Sequence, residues 1–238
     1  MRAFLARGAA IAVAMVLVAA TPASSLTTRA RSATEPEPLM RWKLALDLRT
    51  HPNLNPFPSY LGGDPVWSLR ESQSLQRNGD YGLLPSYSPT FGADGLKAWH
   101  GTAANCVKVP AIGANTIDKP APLCAGQVPG DAAFVIPAPT RAPVVGWTSP
   151  FAGTVTISHD AIAEVGGFCG AGVSYYVDLG TTQLTATRLT NNGGTDLPSI
   201  TLTVREGQTL YFIVEPNSAA NVSCDITQLQ VTIDRGET

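Results

Sequence analysis

From Ala142 to the C-terminus the chain breaks into short apolar–polar alternations separated by turn residues, and this rhythm restricts the fold more than any other feature. "PVVGWTSP", "GTVTISH", "GVSYYVDLG", "TQLTATRL", "SITLTVRE", "QTLYFIVEP" and "ITQLQVTI" are seven such segments, most with period two and each bounded by Gly, Pro, Asn or Asp. Period two puts successive side chains on opposite faces of a strand. The apolar sets are Val155 and Ile157; Val173, Tyr175, Val177 and Leu179; Ile200, Leu202 and Val204; Leu210, Phe212 and Val214; and Leu229, Val231 and Ile233. "NNGG" at 191–194 and "REGQ" at 205–208 mark turns. No ten-residue helical pattern separates the strands, which argues against a parallel α/β sheet. The expectation is an all-β chain whose main strands, over residues 142–235, form an antiparallel two-sheet β-sandwich, jelly-roll-like in its return connections.

The part ahead of the sandwich reads differently. "WKLALDL" alternates Trp42, Leu44, Leu46 and Leu48, which predicts a strand, and "VWSLRES" predicts a second. "HPNLNPFPSYLGGDP" between them is turn chemistry. Residues 101–140 hold many prolines and little pattern, so long ordered loops are expected there. Residues 41–140 are thus read as a loop-rich N-terminal part with short strands, packed on the sandwich. Charged residues make up 14% of the 238, below the roughly 25% usual in soluble domains, while 22 Gly and 19 Pro favour turns. A formal charge of −2 with 44% hydrophobic residues excludes a chain disordered by composition and a basic nucleic-acid binder.

Residues 1–23 have the three-part pattern of a secretory signal peptide: Arg2 and Arg7, an apolar run from Ala9 to Ala20, then small residues that allow cleavage after Ala20 or Ala23. Residues 24–40 are polar, proline-bearing and aperiodic, and read as a flexible lead-in. No later segment is apolar over the roughly 20 residues of a membrane span. The expected setting is secreted or extracellular. Four cysteines, Cys106, Cys124, Cys169 and Cys224, then read as disulfides. Three pairings are open; the preferred one joins Cys106 to Cys124 across the proline-rich "VKVPAIGANTIDKPAPL" and Cys169 to Cys224 across two strand ends. A zinc site has no C-x-x-C pair, and His51, His100 and His159 show no ligand spacing beside the cysteines.

Residues 142–233 resemble secreted bacterial β-sandwich proteins related to carbohydrate-binding modules. The resemblance rests on "WTSPFAGTVTIS" from Trp147, on "CGAGVSYYV", on "VREGQTLYFIV" from Val204 and on "CDITQL" from Cys224, with "YGLLPSY" and "GLKAWHG" ahead of the sandwich. It implies a carbohydrate ligand, a polysaccharide or cell-wall glycan. Such modules often carry Gly-Asp-Gly before the strand, where this chain has Gly170-Ala171-Gly172.

Sugar recognition needs flat aromatic faces and amide or carboxylate partners for hydroxyls. Tyr176, facing opposite Tyr175 and Val177, is the leading candidate, with Trp99, Tyr81, Tyr87 and Trp67 as further aromatics and Asn191 and Asn192 as polar partners. Trp147 is assigned to the core. Asp160, Glu164 and Asp225 are candidate calcium ligands, though no D-x-D-x-D-G run occurs. Ser158, His159 and Asp160 are consecutive and cannot form a triad among themselves. A glycosidase would draw its carboxyl pair from Asp160 with Glu164 or Asp178 with Asp225. The sequence therefore favours a secreted, non-catalytic binding module for carbohydrate, with no cofactor beyond structural calcium. The alternative is a structural or protein-interaction sandwich without a sugar ligand.

Overall fold

A computed structural model describes residues 40–102 and 109–236. The expected signal peptide, almost all of the lead-in, and Cys106 lie outside these residues. Among them run β1 (Arg41–Lys43), α1 (Leu44–Thr50), β2 (Phe57–Ser59), β3 (Gly62–Ser72), β4 (Tyr81–Leu83), β5 (Ser86–Ser88) and β6 (Leu96–His100). Then follow β7 (Ala111–Asn115), β8 (Ala121–Leu123), β9 (Gly126–Val128), β10 (Ala133–Ile136), β11 (Pro143–Thr148) and β12 (Gly153–Glu164). The chain closes with β13 (Val173–Leu179), β14 (Thr182–Leu189), β15 (Gly194–Thr195), β16 (Ile200–Val204), β17 (Thr209–Pro216) and β18 (Thr227–Arg235).

Two antiparallel sheets form a sandwich. Sheet A has the order β15-β12-β18-β10-β7-β6-β5, with β1 also on β18 and β16 on β12; sheet B has the order β14-β13-β17-β11-β3-β2, with β4 on β3. From β10 to β13 and from β16 to β18 the chain alternates between the sheets, as in a jelly roll. All seven segments expected after residue 142 are strands. Their alternation survives because one face meets the core and the other meets water. Sheet B sends Trp67, Trp147, Tyr175 and Phe212 into the core, and sheet A sends Ile112, Val135, Ile157, Leu229 and Ile233. Leu179, Ile200 and Leu202, from the expected inward sets, are only partly buried at its margin.

Two expectations ahead of the sandwich are corrected. "LALDLRT" is helical, not a strand. Leu44 and Leu48 are four residues apart, which suits one helix face as well as alternation suits a strand, and Ala45 and Asp47 are buried beside them. Asp47 settles the choice: its Oδ2 accepts the Lys43 N–H at 3.1 Å and the Trp67 Nε1–H at 2.7 Å, and its Oδ1 accepts the Tyr60 N–H at 2.7 Å. Residues 101–140 hold four strands rather than long loops. Of these, β7 and β10 lie inside sheet A, and every residue of both is buried. Their outer face is covered by a second apolar cluster that includes Leu96, Ala121, Leu123, Val128, Phe134 and Ile226. Strands covered on both faces show no alternation.

One polar contact crosses the core. His159 Nε2 lies 3.0 Å from the hydroxyl of the fully buried Tyr175. Burial pushes the imidazole down to about 4, against a smaller opposing pull from Asp160. The folded state then binds fewer protons than the unfolded chain between about pH 6.5 and 4, so stability is present above the unfolded value and is lost as pH falls through the folded one. The loss should be about 2–3 kcal/mol. Denaturant unfolding at pH 7 and pH 4 checks this: other groups titrate alike in both proteins, so on acidification the wild type should lose about 2–3 kcal/mol relative to His159→Gln. An equal acid loss in both proteins would rule out His159 as its source.

A disulfide-clamped rim as candidate functional site

At one end of the sandwich β12 leaves sheet A at Glu164, and the chain crosses through residues 165–172 to enter sheet B at Val173. Four glycines shape this crossing in two ways. Gly167 (φ 95°) and Gly172 (φ 79°) take the left-handed conformation that glycine adopts without strain. Gly166 and Gly170 do not; they allow close approach. A Cβ on Gly166 would stand 1.6 Å from the Cys224 carbonyl oxygen, and one on Gly170 would stand 2.1 Å from Asp225 Oδ1 and 3.2 Å from Glu164 Oε1. The Cys169–Cys224 disulfide, with Cα atoms 5.4 Å apart, ties the crossing to the segment before β18.

Neighbouring loops brace the crossing. The Asn191 Nδ2–H donates to the Gly170 carbonyl, and Asn217 Nδ2–H groups donate to those of Ala171 and Leu189, each at 3.2 Å. The Gln127 N–H of the β8–β9 hairpin donates to the Val165 carbonyl at 3.3 Å. Cys124, in the turn of that hairpin, is itself disulfide-bonded, and its expected partner Cys106 lies outside the described residues. Held by these contacts, the loop presents Phe168 to solvent with 86% of its surface exposed, the highest value among the large apolar residues described. Asn192 is exposed in the turn whose Asn191 braces Gly170.

Beneath the loop lie two carboxyl groups. Glu164 and Asp225 are 2% and 0% exposed, and none of their four oxygens has a hydrogen-bond partner in normal geometry. Burial, then interaction with Asp225, pushes Glu164 up to about 8, and burial also raises Asp225. Asp160, expected with them, is elsewhere: it is exposed on the bulged stretch of β12, and its Oδ2 accepts the Thr232 hydroxyl at 2.6 Å.

The remaining candidates are dispersed. Tyr176 lies on the outer face of sheet B, with the Arg77 guanidinium 3.9 Å over its ring. Arg77 also donates to Asp178 at 2.9 Å and to Gln183 at 2.7 Å, so Asp178 pairs with arginine and not with Asp225. Tyr81 is 4% exposed on that same face, edge-on to Tyr211. Burial pushes its hydroxyl up to about 12. Trp67, expected at a ligand face, is wholly buried in the core, because Asp47 satisfies its indole N–H there. Trp99 and Tyr87 sit together on sheet A, and the Trp99 Nε1–H donates to the Pro52 carbonyl at 3.1 Å. Only Asn191 and Asn192 fall at the rim. Phe168 escaped the sequence reading, since a single aromatic in a glycine-rich loop has no periodicity that reports its exposure.

Fold and rim define a class: an all-β, two-sheet antiparallel sandwich with a disulfide-clamped loop at one end. No protein-family model matches the chain, and no curated protein matches it. Among solved structures, the chain is similar to an isomalto-dextranase of Arthrobacter globiformis T6 complexed with panose, at 14% identity and a TM-score of 0.30 over 58% of this chain. It spans 22% of that enzyme's chain. A family 35 carbohydrate binding module from Clostridium thermocellum gives 8% identity and a TM-score of 0.27, covering 48% of this chain and 85% of the other. The family 35 module of Abf62 from Cellvibrio japonicus gives 12% identity and a TM-score of 0.26, covering 72% and 94%. Likeness at this level assigns neither family nor ligand.

Proposed function

We propose that the protein is a non-catalytic binding module, exported from the cell, that engages carbohydrate at the rim formed by residues 165–172 and 190–193. The observation that carries this reading is Phe168, an aromatic ring 86% exposed on a loop fixed by a disulfide. A ring held rigidly in water gives up little entropy when a ligand covers it. Covering about 100 Å² of apolar surface is worth roughly 2 kcal/mol. The exposed Asn192 side chain, in the turn that braces Gly170, supplies a donor and an acceptor for hydroxyl groups. Among the described residues no helix is long and apolar enough to cross a membrane.

The test is depletion of the oxidised protein from solution by a panel of insoluble polysaccharides and cell walls. Phe168→Ala should weaken depletion by at least about tenfold, whereas Tyr176→Ala, whose ring face Arg77 already covers, should change it little. Depletion unaffected by Phe168→Ala would move the site away from the rim. A second reading, a protein-interaction sandwich, is favoured by Leu61, 75% exposed beside Tyr60 in the β2–β3 turn. Absence of depletion by every polymer would favour that reading.

A further inference from the structure

We propose that Glu164 and Asp225 form a binding site for a hard divalent cation, calcium, with the Thr227 hydroxyl as a further oxygen ligand, beneath the close-packed backbone of Gly170. This inference does not rest on the carbohydrate reading. Buried charges in folded proteins are paired or coordinate metals. None of the ion pairs among the described residues includes Glu164 or Asp225. Two acids with unpartnered oxygens are not by themselves a site, and two further observations make them one.

Thr227 is 0% exposed, and its Oγ1 has no hydrogen-bond partner. Thr227 stands directly opposite Glu164 in the β12–β18 register, so both side chains leave the same sheet face with their Cβ atoms about 5 Å apart. A third buried oxygen is thereby aimed at the carboxyl pair. The Gly170 backbone closes over the pair: a Cβ there would stand 2.1 Å from Asp225 Oδ1 and 3.2 Å from Glu164 Oε1. Beside it, Asn191, which donates to the Gly170 carbonyl, keeps its own Oδ1 buried and unpartnered. Backbone N–H groups of Ala171 and Gly172 approach Asp225, and that of Asn192 approaches Glu164.

The donors choose the metal class. Every candidate is an oxygen, which suits calcium and not zinc. No group of three or more His, Cys, Asp or Glu residues exists among the described residues, so hydroxyl, amide, carbonyl or water oxygens must complete the shell. Such a site, with two carboxylates, belongs with calcium sites of about 0.1–1 mM affinity. The ion would join the end of β12, the start of β18 and the loop carrying Phe168, at the place the Cys169–Cys224 disulfide ties from outside.

The decisive experiment titrates calcium chloride into the EDTA-stripped, oxidised full chain, by calorimetry and by thermal unfolding. One calcium should bind, and the midpoint should rise by about 5 °C or more at ligand concentrations well above Kd. Magnesium, which demands octahedral geometry and dehydrates reluctantly, should act much more weakly. Asp225→Asn and Glu164→Gln should each weaken calcium at least about 30-fold, and Gly170→Ala, whose Cβ would stand 2.1 Å from Asp225 Oδ1 and displace that carboxylate, should abolish binding. No heat and no shift in the wild-type protein up to about 5 mM calcium would overturn the proposal, even if every variant failed to fold. So would a wild-type shift that Asp225→Asn and Glu164→Gln both retain. Variants that are more stable than the wild type, with neither responding to calcium, would instead show a carboxyl pair sharing one proton.

Discussion

Asp47→Ala is expected to lower stability by about 3–5 kcal/mol. At roughly 2–4 °C per kcal/mol for a chain of this size, the unfolding midpoint should fall by about 10 °C. The Asp47 carboxylate is 0% exposed and accepts three N–H groups, from Lys43, Tyr60 and Trp67. Alanine would leave the indole N–H of a fully buried tryptophan without an acceptor, and the stiff turn at Tyr60 would lose its tether to α1. An unpaired buried donor costs its full desolvation, which exceeds the net worth of an ordinary hydrogen bond. Asp47→Asn, which keeps an acceptor for one or two of the donors, should lose about half as much. Urea unfolding followed by tryptophan fluorescence measures both. A loss under about 1 kcal/mol for alanine would mean that water or another group takes over the indole, and that α1 is not held by this residue.

The double substitution Cys169→Ser with Cys224→Ser should cost about 4 kcal/mol, from the chain entropy of a loop closed over a sequence separation of 55. Substitution is the cleaner test, because a reductant would also act on the disulfide of Cys124. Two readouts separate the roles of the bond. Thermal unfolding reports the loss of stability. Polysaccharide depletion reports Phe168, whose loop would keep its hydrogen bonds with Ile226, Asn191, Asn217 and Gln127. A stable variant that binds as before would show those braces to be sufficient, and the bond would then matter for the unfolded chain alone.

The strands after Ala142 were legible in the sequence for a physical reason: each has one face in the core and one in water, so its residues alternate. The same test failed on β7 and β10, where "AIGAN" and "AFVI" are buried on both faces and carry no period. It misled at "LALDLRT", where seven residues are too few to tell a spacing of two from a spacing of four, and the partners of Asp47 lie 13 and 20 residues away. At the rim, the pairing of Cys169 with Cys224 was preferred from strand order, and the structure contains it. Phe168 was passed over because an isolated aromatic says nothing about exposure until the loop around it is built. Trp67 was misplaced for the converse reason, since an aromatic in a short strand looks alike on either face.

By itself, then, the sequence determined that the chain is an antiparallel sandwich and that Cys124, Cys169 and Cys224 belong to disulfides, because alternation and cysteine count are local properties that survive without knowledge of any contact. Only the tertiary structure decided which aromatics meet solvent, that Asp178 pairs with Arg77, and that Glu164, Asp225 and Thr227 converge under Gly170. Those facts depend on register between β12 and β18 and on the approach of one loop to another. Register is a relation between distant segments, and it exists only once the sheets have formed.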